Sequence, residues 1–588
     1  MTLENQKRIA RIIEDAGEVS EPVTTVAQSG KPRLHVESCS PDQTVAALRD
    51  HLADTGDLYD RGVPVRLAFD QIQRGSIAQV MTPDGLVLRA HSICRPYVLK
   101  QDGVTEIDAR LPRYIAVMYL DWRGEWRLPP LNGIASAPLL HDDGTINSTQ
   151  GYDVTTGMWC ENVPELKGLI FAKPTRHDAT MALRLIRETF KTFCFADAET
   201  VDPVGKGVPM VDTSKAPGMD ESAFLMALLT AACRPSLHLA PGILLRAASM
   251  SGAGSGKGLL ARCICIIAFG REPHAVTAGG SAEELEKRIA AELIEGSPAL
   301  FLDNLNNTAF RSDLLASAIT ERPARVRVLG RSQMVPLNAS ALVILTGNGL
   351  SVSEDLARRF VTIDLDARTE DPEVRSFTTD IHLEVTQRRA ELLAALLTVW
   401  RWGRTYSDLQ PGIPLGSFEQ WCRWVRDPLL GLGCRDPIAR VSEAKHRDGR
   451  RQAVVDLFTF WWDKHCDQPV AVRQLHDEVR QALDPQGRGR QYVSSQVEKL
   501  AGTRMGGFVF TRQAPAGKWG AATYALKRTV ADDEHRGHRG NETEERPYST
   551  GLSIKGDDSP QMPPMPPMPS AAPADLTPRA VQRWRGRI

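Results

Sequence analysis

Apolar positions change period several times along the chain, and the most regular alternation of short apolar runs with amphipathic stretches falls between residues 219 and 370. Gly242 to Met250 reads as a buried strand, followed by a glycine-rich turn and an apolar helix ending near Phe269. Ala275 to Ala278 is a short strand. Ser281-Ala-Glu-Glu284 then has the spacing of a capping box and opens a helix with Leu285, Ile289 and Leu293 on one face. Pro298 stops it, and Ala299 to Leu302 is a continuous apolar run ending in Asp303-Asn304. Ala341 to Leu345 is a further buried strand ending in Thr346-Gly347-Asn348, and Phe360 to Leu365 is a last one. Strands alternating with helices in this way predict a layered α/β domain.

Around this core the pattern is less regular. Residues 1–35 read as a short amphipathic helix (Ile9, Ile12, Ile13) and a polar linker. Residues 36–170 read as a mixed α+β domain, with β-like runs at Val65–Phe69, Leu86–Arg89 and Tyr114–Leu120 and a helix at Gln43–Thr55. Trp122, Trp126 and Trp159 lie in turn-rich sequence and are expected to anchor core or loops rather than stack bases. Residues 171–218 form a helical connector and hinge: Asp178 to Phe195 is one helix with Met181, Leu183, Leu185, Ile186 and Phe190 on a broad apolar face, and glycine and proline follow. Ser222 to Arg234 is a second apolar helix, closed by Pro235.

Beyond the core, residues 371–449 are expected to be a helical lid or connector, with one long helix from Ile381 to Trp402 and a Trp-rich stretch holding Trp421 and Trp424. Residues 450–528 change layout again. Helices at Arg451–Cys466, Val472–Leu483 and Val493–Ala501 precede two strand-like runs, Gly507–Arg512 and Ala521–Lys527. Three helices and a hairpin are a winged-helix order, a fold that binds DNA or proteins; its candidate DNA contacts are Arg488, Arg490, Lys499, Arg504, Arg512 and Lys518. Residues 529–588 are polar, with the repeat MPPMPPMPSAAP, and read as a disordered proline-rich tail.

The chemistry of the chain concentrates at the end of the Gly242 strand. In SGAGSGKGL, glycines at 252, 254 and 256 let backbone N–H groups turn inward on phosphate oxygens, at the positive end of the helix that follows. Lys257 then reaches the β- and γ-phosphates. Gly252, Ala253, Gly254, Ser255, Gly256, Lys257, Gly258 and Leu259 are the candidate ATP-binding residues. The formal pattern is G-x-x-x-x-G-K-[ST], and this chain departs at both ends, with Ser251 for the first glycine and Gly258 for the hydroxyl residue. Asp303, at the end of an apolar strand, is placed to hold Mg²⁺; an Asx turn after a core strand is the alternative. Asn304 beside it cannot take a proton, so it would only orient water, with Glu283 or Glu284 as substitute bases. Asn348 is placed to sense a γ-phosphate.

Two further basic features follow. Ala324 to Leu337, ARVRVLGRSQMVPL, alternates and turns at Gly330–Gln333, which makes Arg325, Arg327 and Arg331 candidate DNA contacts on a hairpin. Arg358 and Arg359, just ahead of the last strand, suit an arginine finger reaching a neighbouring subunit's ATP, with one of the two expected to serve only a structural ion pair.

Length, charge and cysteines change this picture little. At 588 residues the chain is too long for one core. With 71 basic and 72 acidic residues, any contact with nucleic acid must come from local patches. Ten cysteines without a CxxC pair leave zinc ribbons and redox dithiols unsupported and suit a reducing cytoplasm. The first residues carry acids and no apolar core, unlike a signal peptide, and no apolar segment approaches the ~20 residues of a membrane span.

Taken in order, GAGSGKG, LFLDN, RVRVLGRSQMVPL, ILTGN and DLARRF resemble the AAA+ ATPase core of superfamily 3 helicases, especially the helicase part of phage and plasmid primase-helicases carried by mobile elements. GYDVTTGMW, Gly151 to Trp159, is similar to the short motif that precedes the helicase in those proteins. The resemblance covers roughly residues 150–370. It implies an AAA+ P-loop ATPase core over residues 219–370, homo-oligomeric rings, hexameric by analogy, with ATP and Mg²⁺ at subunit interfaces, and a hairpin bearing Arg331 that grips single-stranded or forked DNA. It also implies work beside other replication proteins. The alternative is an ATP-controlled, DNA-binding initiator or regulator that does not unwind processively. A protein-remodelling machine would need an aromatic pore loop, and none is evident.

Overall fold

The computed structural model describes residues 30–528 apart from 38, 72–73, 203–207, 250–251, 278, 280, 307–308, 329–333, 441–448 and 515–520. The expected N-terminal helix, the proline-rich tail, Ser251, the hairpin tip with Arg331, and Lys518 lie outside the described residues. The chain forms two compact units, divided between Ala453 and Val454.

The first unit is built on five parallel strands: β1 (Gly242–Ala247), β2 (Ala275–Thr277), β3 (Ala299–Asp303), β4 (Leu342–Asn348) and β5 (Phe360–Leu365). Their order is β2-β3-β4-β1-β5. Consecutive residues such as Ile243, Leu244 and Leu245, or Leu300, Phe301 and Leu302, are all buried, so both faces of the sheet are covered and its strands read as unbroken apolar runs. The sheet extends further into the polar tips than expected: Thr346, Gly347 and Asn348 are part of β4, whereas β1 stops at Ala247, where the glycine loop leaves the sheet.

Helices α1 (Met219–Cys233), α2 (Lys257–Phe269) and α3 (Ala282–Glu295) pack on the sheet, with α4 (Asp313–Thr320) against α3 and α5 (Arg389–Thr405) against α1 and α2. Nearly every residue of α1 is buried, acids included, because α1 packs against β5, α2 and α5 at once. Its Glu221 takes a fork of two bonds from Arg187, at 2.7 and 3.0 Å, and its Asp220 is held by Arg440 and by the Asp364 N–H. Burial pushes the Asp220 carboxyl up, and the Arg440 guanidinium works against that shift.

Residues 33–128 carry a smaller core of their own, around Leu34, Leu48, Leu86, Ile115 and Tyr119. Two segments expected as strands there are helices. Leu86–Arg89 belongs to helix Pro83–Ile93, where the Thr82 hydroxyl accepts the Gly85 N–H and proline opens the first turn; Tyr114–Leu120 belongs to helix Arg113–Asp121. Their buried positions, Leu86 and Ala90 in one and Ile115, Ala116, Tyr119 and Leu120 in the other, follow the helical and not the alternating period. Trp126 is buried with its indole N–H on the Tyr119 carbonyl at 2.7 Å, and Trp122 lies beneath Arg49.

Two of the ties between this module and the core matter for the site. Arg61, fully enclosed, donates to the Leu293 and Ile294 carbonyls at the end of α3 and to the Leu131 carbonyl, all at 2.7–2.8 Å. The second tie involves the basic hairpin. Its strands, Ala324–Arg327 and Met334–Leu337, pair antiparallel, and a Cβ placed on Gly62 would stand 2.7 Å from the Pro336 carbonyl. Past the hairpin, Ser340 donates to the Asn132 carbonyl at 3.0 Å.

Three expected helices are shorter or broken. The connector helix spans Arg176–Phe190, and the apolar run continues into Phe195 only because Phe195 bridges to Leu365 and stacks on Phe224. Met181, expected on the apolar face, is 42% exposed. Ile381–Trp402 is two helices, Ile381–Gln387 and α5; Arg388 breaks them, and its guanidinium pairs with Glu384 before the break and Glu391 after it. Val472–Leu483, in the second unit, is a short turn at Val472–Gln474 and a helix at Asp477–Leu483, because His476 caps a new first turn.

The second unit holds most of helix Gly449–His465 and all of helices Asp477–Leu483 and Arg490–Leu500, with strands Phe508–Gln513 and Thr523–Arg528 as an antiparallel hairpin. Val470–Ala471 and Arg504–Met505 extend it to four strands. Its core stacks Phe458 on Phe510 and sets Trp461 edge-on to the same ring.

Candidate nucleotide site

The order β2-β3-β4-β1-β5 places the carboxyl ends of β1, β4 and β3 side by side, which is where an open parallel sheet binds its ligand. The loop after β1 is shaped by what its glycines leave out. Gly254 and Gly256 have φ of +68° and +94°, the left-handed region that side chains resist, and Gly256 is the residue from which α2 starts. Gly252 is needed for space: a Cβ there would stand 2.3 Å from the Ala248 carbonyl and 2.6 Å from Asn348 Oδ1. The loop thus presses directly on the tip of β4.

Lys257 folds back over this loop and donates to the Gly252 carbonyl at 2.7 Å and to Ser255 Oγ at 3.0 Å. Burial pushes its pKa down, and Cys194 and Asp303 nearby act in the opposite sense. A half-buried ammonium with two neutral oxygen partners is poised to gain from an anion.

Asp303 ends β3 and accepts the Thr346 hydroxyl from β4 and the Asn304 N–H at 3.0 Å. Asn304 has φ of +61°, a conformation that asparagine tolerates better than glutamate does, so the backbone turn after β3 accounts for an amide at this position. Glu283 and Glu284 pair with Lys287 and Arg288 on α3. At the end of β4, the Asn348 N–H bonds Asn306 Oδ1 at 2.7 Å, whereas its own side-chain oxygen is buried with no partner among the described residues. A buried polar atom of this kind, facing a phosphate-type loop, fits a ligand that completes it.

Four contributors to the site were not among the sequence candidates. Thr346 orients Asp303, and Cys194 Sγ meets the Ser255 carbonyl at 3.3 Å. Arg375 donates to the Gly254 carbonyl at 3.0 Å, and the Glu373 backbone lies against Gly254. Of these, only Thr346 had a local signal, a polar residue at the tip of an apolar strand. The others arrive from segments before and after the core.

No group of three or more His, Cys, Asp or Glu side chains among the described residues could hold a metal ion. Mg²⁺ bound with a nucleotide needs only one or two carboxylates, the rest of its shell being phosphate and water oxygens, so Asp303 fits that ion.

The two arginines ahead of β5 separate by burial. Arg359 is mostly buried and donates to the Ala316 carbonyl and to Thr320 Oγ1 (2.9 Å) at the end of α4, whereas Arg358 is 56% exposed and, among the described residues, pairs only with Asp355, at 2.6 Å. Arg359→Ala is therefore expected to cost about 1.5–3 kcal/mol in chemical denaturation. Arg358→Ala should stay within about 0.5 kcal/mol of the parent protein.

The basic candidates lie elsewhere. Arg325 and Arg327 occupy the exposed positions of the hairpin's first strand. In the second unit Arg490 opens helix Arg490–Leu500, Arg488 lies over the Tyr492 ring at 4.8 Å, and Arg488, Arg490, Lys499, Arg504 and Arg512 are exposed.

No protein-family model matches the chain, and no curated protein matches it. Among solved structures it is similar to the NrS-1 C-terminal region, with 13% identity and a TM-score of 0.30 over 82% of this chain and 98% of that one. It is also similar to the active helicase Cch of SCCmec type IV, with 13% identity and a TM-score of 0.27 over 79% and 94% of the two chains. A third is JCV helicase, with 14% identity and a TM-score of 0.18 over 39% and 66%. Among the described residues no helix is long and apolar enough to cross a membrane.

Proposed function

We propose that the chain is an ATP-driven DNA helicase or translocase of the superfamily 3 AAA+ kind, working as an oligomeric ring in the replication of a mobile element. The observation that carries this reading is the meeting of the glycine loop, Asp303 and the unpartnered Asn348 oxygen at one edge of the sheet. In it, the loop N–H groups and Lys257 bind the phosphates, Asn348 positions the attacking water, and Asp303 holds Mg²⁺. The metal would neutralise charge on the phosphate oxygens. Arg358, exposed and paired only within its own turn, is free to reach a neighbour's nucleotide. Arg325 and Arg327, with Arg331 at the tip, would press on DNA phosphates, and Arg488, Arg490, Lys499 and Lys518 of a winged helix would add a second DNA contact.

A second reading is favoured by Gly258 and Asn304, which supply neither a hydroxyl nor a proton acceptor: a DNA-binding switch in which ATP governs assembly and no strand is displaced. Displacement on a forked duplex separates the two. ATP-dependent strand separation that disappears in Lys257→Ala is the expected result. Steady ATP turnover without displacement would favour the switch, and displacement indifferent to Lys257→Ala would rule out both.

A further inference from the structure

Gly258 occupies the first turn of α2, where glycine-rich phosphate loops place the hydroxyl that meets the metal. Here that volume is already filled. A Cβ on Gly258 would stand 2.9 Å from Nη1 of Arg262, one helical turn further on. Side chains of a helix lean toward its N-terminus, so Arg262 reaches back along α2 toward the loop. Two contacts hold the inner part of its guanidinium. Nε is 3.2 Å from Glu272, whose other oxygen takes His382 at 2.7 Å, and the guanidinium carbon is 5.9 Å from the centre of the Phe301 ring. Phe301 precedes Asp303 by two residues on β3, hence on the same face of the sheet. The terminal nitrogens of Arg262 make no hydrogen bond among the described residues.

From this we infer that Arg262 takes the place of the missing hydroxyl and of part of the metal's charge, so that the chain binds nucleoside triphosphate nearly independently of divalent cation. The inference rests on the reading of the glycine loop as a nucleotide site. A guanidinium offers two parallel N–H bonds to phosphate oxygens and remains charged at any working pH. With Lys257, the residue before Gly258, it supplies a second positive group at the loop, its Nε shared with Glu272 and its terminal nitrogens left for phosphate oxygens. Gly258 is thereby explained, since any larger residue would displace the guanidinium. Asp303 keeps its metal for turnover, and binding and turnover then differ in their need for Mg²⁺.

The test measures binding of a fluorescent ATP analogue to the full chain, in excess Mg²⁺ and in EDTA. The parent protein should bind within about threefold in the two conditions, and Arg262→Ala should lose about tenfold or more in EDTA, the scale of a charge-assisted hydrogen bond. Arg262→Lys should recover part of that loss. The double variant Gly258→Thr, Arg262→Ala should bind at least about tenfold more tightly with Mg²⁺ than without. A parent protein that loses tenfold or more in EDTA, or an Arg262→Ala variant that binds there like the parent, overturns the inference. Lys257→Ala separates the two levels: if it binds the analogue as well as the parent does in both conditions, the nucleotide site itself is wrong, whatever Arg262 does.

Discussion

Replacing Lys257 by alanine is expected to lower ATP turnover by about two to three orders of magnitude, the usual effect of removing one fixed donor from a developing phosphate charge. Thermal stability should not fall with it. The ammonium is partly desolvated, and its two partners, the Gly252 carbonyl and Ser255 Oγ, already bond to each other at 2.8 Å. Removing it leaves the loop with its own closing bond and relieves the cost of a partly desolvated charge. A lysine that merely braced a turn would behave in the reverse way, lowering the melting temperature and leaving nucleotide binding untouched. Calorimetry of the variant together with a nucleotide titration therefore distinguishes the two roles.

The second large effect is on stability. Glu221→Ala should destabilise the first unit by about 3–5 kcal/mol, because it strands the Arg187 guanidinium without its charge partner. Side-chain exposure is 8% for Arg187 and 4% for Glu221, so water cannot replace the carboxylate. Arg187 would retain the Thr213 and Lys215 carbonyls, at 3.1 and 2.8 Å, which satisfy one nitrogen and leave Nε and Nη2 unbonded. Glu221→Gln keeps the shape and loses the charge, and should fall between. Urea denaturation of the three proteins measures the series. A loss below about 1 kcal/mol for Glu221→Ala, the scale of a surface pair, would mean that Arg187 swings out to solvent.

Why some of this was visible in the letters, and some not, comes down to locality. The core strands announced themselves because strands buried on both faces are unbroken apolar runs, as in Leu300–Phe301–Leu302. Asp303 and Asn348 stood out because each closes such a run, and Lys257 because a glycine-rich turn leads into it. The same reasoning misread Leu86–Arg89 and Tyr114–Leu120, where short apolar runs fit either period and only the Thr82–Pro83 start of one helix argued otherwise. Arg358 and Arg359 are adjacent letters of one type; burial against α4 separates them, and burial is a property of the fold. Cys194 and Arg375 reach the loop through tertiary packing alone, and Arg262 went unremarked because an arginine inside an apolar helix looks like an ordinary snorkelling side chain.

The base of the basic hairpin touches Gly62 on one side, and its exit is fastened to Asn132 on the other. Arg61, next to Gly62, grips the end of α3. A hairpin seated in this way has a footing: a force applied along its two strands would be borne by residues 60–132, so that this part of the chain would set the stiffness of the hairpin's base.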